Sequence, residues 1–195
     1  MAVGRRAAMM EENKNKLITA ARKAFAEKGF AAASMDELTA SVGLTRGALY
    51  HNFGDKRGLL AAVVAQLDSE MALRAKAIAS NAEAGWDRLL AEGVAYIKMA
   101  LDAEVQRIVL LDGPAFLGDP SGWPSQNACF EATRSAVAEL IEHGVLKPVD
   151  VDAAARLLNG AALNAALWVA AAQQPEQQLP KAIAVFVLMA EGLRL

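Results

Sequence analysis

Cysteine and proline are scarce in this 195-residue sequence, and their scarcity narrows the class of protein. The single cysteine, Cys129, cannot form an internal disulfide or a cysteine-based zinc site, which argues against a secreted, disulfide-stabilised fold. Six prolines and 14 glycines in a chain that is 54% hydrophobic and 22% charged are typical of a folded globular protein rather than a disordered one.

Long hydrophobic runs are also missing. The longest uncharged stretch, residues 157–174, is rich in alanine and is interrupted by Asn159, Asn164, Gln173 and Gln174, so it does not predict a bilayer-spanning helix. No apolar segment with a small-residue cleavage site follows the start of the sequence. We therefore expect a cytoplasmic protein without a membrane partner.

The sequence has little that would support catalysis. It has two histidines, His51 and His143, and it lacks Gly-x-Ser-x-Gly, His-Glu-x-x-His, Gly-x-Gly-x-x-Gly and a phosphate-binding loop. We expect no cofactor, no metal site and no enzymatic activity, and we keep a small helical enzyme as the alternative from another class.

Alternating strand patterns are absent, and the spacing of apolar residues predicts an all-α protein of about nine helices. Glycine and proline place breaks at 113–114, 118–124, 147–148 and 173–180. The helices are predicted over residues 12–28, 34–42, 46–52, 55–79, 86–101, 103–111, 125–143, 151–172 and 180–194.

The second and third predicted helices form a helix-turn-helix, because only Gly43-Leu44-Thr45 separate them. Charge favours a polyanionic partner for this region. Residues 1–60 contain ten Lys/Arg and six Asp/Glu, for a net charge of +4, whereas the remaining residues contain ten and 16, for a net charge of −6. The motif and the charge together predict binding to double-stranded DNA.

The outward residues of the third helix suit the major groove. Arg46 can form two hydrogen bonds with a guanine edge, while His51 and Asn52 can bond to bases or phosphates. The small Gly47 permits close approach. Phosphate contacts are expected from Tyr50 and Lys56.

A longer sequence pattern around this motif indicates a resemblance to a known protein family. The segment from Gly43 to Leu60, which reads GLTRGALYHNFGDKRGLL, resembles the DNA-binding signature of the TetR (tetracycline repressor) family. Residues 20–30 and 34–38 are similar to the same family's first helix and to the start of its second. One departure is Thr39, where the family usually has alanine, and we expect slight repacking there rather than loss of the fold.

The resemblance implies a helix-turn-helix domain over residues 1–57, joined by a long helix to an effector-binding and dimerisation domain within 58–195. It also implies a ligand-responsive repressor of a palindromic operator. Ser34 and Thr45 are interpreted either as helix caps alone or as caps that also contact phosphate. Arg5 and Arg6 are interpreted as a terminal tail rather than as a minor-groove arm. The DNA contacts that the resemblance implies are Ser34, Thr45, Arg46, Gly47, Tyr50, His51, Asn52 and Lys56.

The acidic second part of the chain offers side chains for an effector cavity, although for any single aromatic residue a place in the core is favoured over a place in the cavity. Among them, Trp123, Asn127 and Phe130 beside the loop at 118–124 are the first choice, and the expected effector is a small, mostly apolar molecule. Cys129 leaves a redox-sensing regulator as an alternative. The full set of expected effector contacts is Trp86, Tyr96, Met99, Phe116, Trp123, Asn127, Phe130 and Trp168.

The last two predicted helices have more apolar surface than one buried face requires. Two such helices from each of two subunits would form a four-helix interface, which is also how the resembled family dimerises. The alternative is that both helices are internal. The predicted homodimer contacts are Gly160, Ala161, Asn164, Ile183 and Val187.

Overall fold

A computed structural model describes residues 2–195 of the chain, with side chains from residue 7 onward. Within those residues the chain forms nine helices, which confirms the predicted all-α class. They are α1 (Ala2–Ala32), α2 (Met35–Ser41), α3 (Arg46–Phe53), α4 (Lys56–Ala79), α5 (Trp86–Lys98), α6 (103–117), α7 (Pro124–Glu142), α8 (Val151–Ala170) and α9 (Pro175–Glu191).

Helix α1 begins ten residues earlier than its apolar pattern predicts. The described side chains of its first turns, residues 7–12, are exposed, including Met9 at 59% and Met10 at 39%, and the ion pair of Lys16 with Glu12, at 2.6 Å, supports the helix there. The backbone of Arg5 and Arg6 belongs to α1 rather than to a tail, and their side chains lie outside the described residues. At Gly29 the backbone leaves helical geometry, with φ 77° and ψ 160°, at the residue predicted to end the helix.

Helix α6 runs through the predicted break at Gly113-Pro114. It consists of Ala103–Val105, a π-helical segment Gln106–Asp112, and Gly113–Leu117. The wider π-helical turn lets the Gly113 amide donate to the carbonyl of Ile108, and Pro114 starts the next turn, where its missing N–H costs little.

Helix α9 starts at Pro175, five residues before the prediction, because proline suits the first position of a helix. Pro180 then lies inside the helix and does not end it.

One hydrophobic core extends from α1 to α9, and a smaller cluster surrounds Trp86, Val137 and Leu146. Helix α4 contributes buried residues from Leu59 to Ala79, so it is packed along its whole length. In residues 2–195 the only β-type pairing is a bridge between Leu146 and Arg194. No helix in the described part of the chain is long and apolar enough to cross a membrane.

Two substitutions on α4 test this packing. Leu67 is 2% exposed, so Leu67→Ala should lower the free energy of unfolding by about 2–5 kcal/mol through lost burial and a cavity. Ile78 is 54% exposed, so Ile78→Ala should change it by about 0.5 kcal/mol or less. Urea unfolding measures both, and equal effects would contradict the buried face described here.

Candidate DNA-binding surface and ligand cavity

Local caps fix the helix-turn-helix. The Ser34 hydroxyl accepts from the amide of Glu37 at 3.4 Å and starts α2, while the Thr45 hydroxyl accepts from the amide of Ala48 at 3.2 Å and starts α3. Helix α2 ends at Ser41, so the turn is one residue longer than predicted, and Gly43 adopts a left-handed φ of 67° in it. Leu38 and Leu49 are buried and hold both helices on the core.

The predicted DNA contacts differ in their exposure to solvent. Ser34, Asn52 and Lys56 are half-buried. The exposed members are Thr45, Arg46, Gly47, Tyr50 and His51.

Arg46 is held in place above the exposed face of α3. Its Nε lies 3.3 Å from Oδ1 of Asp36, and its Nη2 lies 3.5 Å from the Tyr50 hydroxyl. The guanidinium also lies 6.0 Å from the centre of the Tyr50 ring. These contacts of Arg46 are exposed and therefore weak.

Two of the predicted contacts already have partners within the chain. Asn52 donates to the carbonyl of Ala48 at 2.7 Å. Lys56 donates to the carbonyl of Ala31 at 3.2 Å, and its ammonium lies 4.6 Å from the Phe30 ring centre. Burial lowers the pKa of Lys56. Both side chains therefore stabilise the motif.

Thr39 fits at the position where the resembled family usually has alanine. It is buried, and its hydroxyl donates to the carbonyls of Met35 at 2.9 Å and Asp36 at 3.2 Å. The extra polar group is satisfied within its own helix, so its burial carries little cost.

A cavity of about 380 Å³ lies between α4, α5, α7 and α8, and Phe186 of α9 closes one side. This volume is in the range of small-molecule sites. Most of the wall is apolar. Its larger apolar residues are Leu73, Trp86, Leu89, Leu90, Leu158, Leu163 and Phe186.

Three polar side chains in the wall have buried atoms without a hydrogen-bond partner: Oδ1 of Asp68, the hydroxyl of Tyr96, and Nδ2 of Asn159. The other oxygen of Asp68 accepts from Gln126 at 3.0 Å, and Oδ1 of Asn159 accepts from Thr133 at 2.9 Å. Burial, followed by the charge of Asp68, raises the pKa of Tyr96, so this hydroxyl stays neutral.

The cavity includes only two of the predicted effector contacts, Trp86 and Tyr96. The first-choice group does not line it. Trp123 instead packs against Gly113, where a Cβ would lie 2.7 Å from its ring, because the π-helical turn brings Gly113 towards the loop. Asn127 is exposed, and Phe130 faces outward to the Arg156 guanidinium, 4.3 Å from its ring centre.

The remaining three predicted contacts also lie elsewhere. Met99 is buried in the main core beyond the end of α5. Phe116 packs against Phe30 with the rings tilted by 45° and their centres 4.4 Å apart. Trp168 is 49% exposed on the outer face of α8.

Sequence reasoning missed Asp68 and Gln126. The position of Asp68 in the apolar pattern of α4 could have identified it. It lies four residues after Val64 and eight after Leu60, on the buried stripe of α4, where a lone acid is unusual.

Two family matches together cover most of the chain. Residues 17–63 match the family described as bacterial regulatory proteins, tetR family, and residues 86–193 match the family described as tetracyclin repressor-like, C-terminal domain. The chain belongs to the TetR family of transcriptional regulators. It is thus a DNA-binding regulator with an N-terminal helix-turn-helix, as the resemblance predicts.

Individual relatives agree with this assignment. A TetR-family transcriptional regulator from Pectobacterium atrosepticum is 45% identical, with a TM-score of 0.87 over 96% of this chain and 97% of that one. The transposon Tn10 TetC protein of Escherichia coli is 29% identical over 74% of this chain and 73% of its own length. RolR in complex with resorcinol is 18% identical with a TM-score of 0.72, over 94% of this chain and 89% of that one, and it shares the fold.

In this TetR-family regulator, polar and aromatic contacts join the helix-turn-helix to α6. The amide of Phe30 donates to Oδ2 of Asp112 at 2.7 Å, next to the Phe30–Phe116 contact. Arg57 donates to the carbonyl of Phe116. Arg22 on α1 pairs with Glu104 at 2.7 Å and with Glu70 of α4 at 2.8 Å.

The outer face of α8 and α9 is apolar and exposed. Leu157 and Leu188 are each 74% exposed. Of the predicted dimer contacts, Gly160 and Asn164 are exposed, whereas Ala161, Ile183 and Val187 are half-buried and pack against the core. Trp168, Val185 and Met189 are further exposed apolar residues of these helices.

Cys129 lines the cavity as a half-buried free thiol. Burial, followed by the charge of Asp68, raises its pKa and leaves less of the reactive thiolate at neutral pH. This environment disfavours the redox-sensing alternative.

The raised pKa of Cys129 gives a direct prediction. Alkylation by iodoacetamide should be slower at pH 7 than that of glutathione under the same conditions, and the rate should rise with pH as the thiolate forms. The urea-unfolded protein is the control for intrinsic reactivity. Faster alkylation of the folded protein at pH 7 would contradict the burial argument and restore the redox alternative.

Proposed function

We propose that this protein is a homodimeric transcriptional repressor that binds a palindromic operator and is released by a small molecule bound in the 380 Å³ cavity. One observation carries the proposal: α4 starts beneath the DNA-binding motif and supplies Asp68 to the cavity wall, so both regions share one helix. We place the border between a DNA-binding part, 1–57, and an effector-binding and dimerisation part, 58–195, near the start of α4.

The proposed DNA contacts are those of the helix-turn-helix surface. Exposed Arg46 is the proposed base reader, together with His51, and Gly47 allows close approach. Tyr50, Thr45 and Ser34 are proposed for phosphates, while Asn52 and Lys56 reach DNA only by exchanging their contacts within the chain.

Two variants separate sequence reading from general affinity. Arg46→Ala should relax the preference at one base pair in each half-site and cost about 1–3 kcal/mol, because a bidentate guanine contact is lost. Lys56→Met keeps the apolar stem on Phe30 and should weaken binding to all sequences alike, with a flatter salt dependence. Selection of bound genomic fragments measures the sequence preference, and titration at several salt concentrations measures the affinity and its salt dependence. An unchanged sequence preference in Arg46→Ala would exclude Arg46 as a residue that contacts bases.

The proposed dimer interface is the exposed apolar face of α8 and α9. Gly160 has no atom within 4 Å of the place where a Cβ would stand, so a partner helix can approach closely there. Leu157, Trp168 and Leu188 supply apolar area that only a second copy of the same face would cover symmetrically. A symmetric pair of helix-turn-helix motifs requires a palindromic site with half-site centres about 34–36 Å apart.

Charge at this face should break the dimer. Leu157→Asp and Leu188→Asp leave the folded monomer intact, since both side chains are exposed, and should give monomers with weak operator binding. The control is Ile78→Asp, an equally drastic change at an exposed apolar site on α4. Light scattering measures the oligomeric state of each variant. Dimers in both Leu157→Asp and Leu188→Asp would show that the dimer interface lies on another surface.

The proposed effector is a small molecule with a large apolar part, which the cavity wall favours. The complex of RolR with resorcinol, a protein of the same fold, supports a small-molecule ligand. The effector must bind the state that does not bind DNA more tightly than the state that does.

The thermodynamic coupling between effector binding and operator binding acts equally in both directions, and this tests the proposal. A compound found by thermal-shift screening that lowers operator affinity tenfold requires about 1.4 kcal/mol of coupling, and operator DNA must lower its affinity by the same factor. Titration with and without operator measures both effects, and Ala72→Leu, which places a larger side chain at a half-buried position of the cavity wall, is the cavity-narrowing control. Equal ligand affinity with and without DNA would exclude release by this cavity.

A further inference from the structure

Asp68 is a buried carboxylate without a counter-charge. It is 2% exposed, and among the described side chains it has one hydrogen-bond partner, Gln126, at one of its two oxygens. A buried charge is costly unless it is paired and fully hydrogen-bonded, so Oδ1 of Asp68 is an open position for a donor.

The rest of the wall favours a positive ligand group over a negative one. Asp68 and Glu92 are the acids of the lining, and the only base among the lining residues, Lys76, is exposed. Trp86, Tyr96 and Phe186 add aromatic rings, whose faces attract cations. The Trp86 Nε1 donates to Glu191 at 2.9 Å, so this indole contributes its ring rather than a free donor.

Asn159 indicates a second feature of the ligand. Its carbonyl oxygen is occupied by Thr133, and its Nδ2 has no partner. An amide N–H can only donate, so it requires an acceptor such as a ligand oxygen. The wall therefore combines an open acceptor on α4 with an open donor on α8.

We infer that the cavity binds an organic amine in its protonated form, with the ammonium paired to Asp68 and the apolar body against the wall. This inference rests on the proposed effector role of the cavity and names the ligand class. A hydrogen bond between an ammonium and a carboxylate is about twice as strong as one between neutral groups, so the charge should dominate selectivity.

Three probes with one shape test the inference: 2-(aminomethyl)naphthalene, 2-(hydroxymethyl)naphthalene and 2-naphthoate, titrated into the full-length protein by calorimetry. The amine should bind about tenfold or more tightly than the alcohol, and the carboxylate should bind least. Slower alkylation of Cys129 at mildly alkaline pH locates the bound amine in the cavity, because this thiol lines it. An alcohol or carboxylate that binds as well as the amine, or no binding of the amine, overturns the inference.

Variants then assign the selectivity to Asp68. Asp68→Asn keeps an oxygen for Gln126 and should reduce amine affinity to that of the alcohol, with alcohol affinity unchanged. Glu131→Gln removes a charge from the exposed side of α7 and should change neither. Full amine affinity in Asp68→Asn overturns the inference; if this variant does not fold, the probe ranking and the Cys129 protection in the natural sequence still decide.

The outcomes separate this inference from the proposed function. Amine binding that depends on Asp68 but leaves operator affinity unchanged supports the ligand class and contradicts release through the cavity. Operator release by a neutral or anionic compound bound in the cavity, with no amine selectivity, supports the proposed function and overturns the ligand class.

Discussion

The packing of α4 along its whole length is the constraint on which the DNA-binding motif and the cavity both depend. Asp55 caps its first turn by accepting from the Gly58 amide at 2.7 Å, and Leu59 and Leu60 bury that turn beneath the motif. Further along the same buried stripe, the helix presents Asp68 to the cavity. One continuous helix therefore lies against both of the regions that the proposed regulation would couple.

A second connection runs through α6 and explains why its π-helical turn matters. Asp112 lies at the end of that turn and accepts from the amide of Phe30, just beyond the break at Gly29. Phe116, one turn later, packs against the Phe30 ring at a tilt of 45°. The π-helical segment thus places Asp112 and Phe116 where both contact the residue that follows the break in α1.

The sequence predicted the local features well because they depend on neighbours. Ser34, Thr45 and Asp55 each cap a helix through an amide three residues on, so spacing alone identifies them. The cavity could not be found in this way. Helices α7 and α8 have small apolar residues on several faces, and only their packing decides that Cys129 faces the cavity while Phe130 faces Arg156.

The energies of these contacts are compatible with regulation. Arg22, Arg46 and Arg57 make partly exposed polar contacts, each of which contributes about 1 kcal/mol or less. A tenfold change in operator affinity requires about 1.4 kcal/mol, which is the scale of one or two such contacts. The buried, unpaired carboxylate of Asp68 carries a larger desolvation free energy. A ligand that pairs with it would remove that unfavourable free energy. Under the proposed function, the free energy of ligand binding in the cavity is therefore of the size needed to rearrange the weaker contacts nearer the DNA.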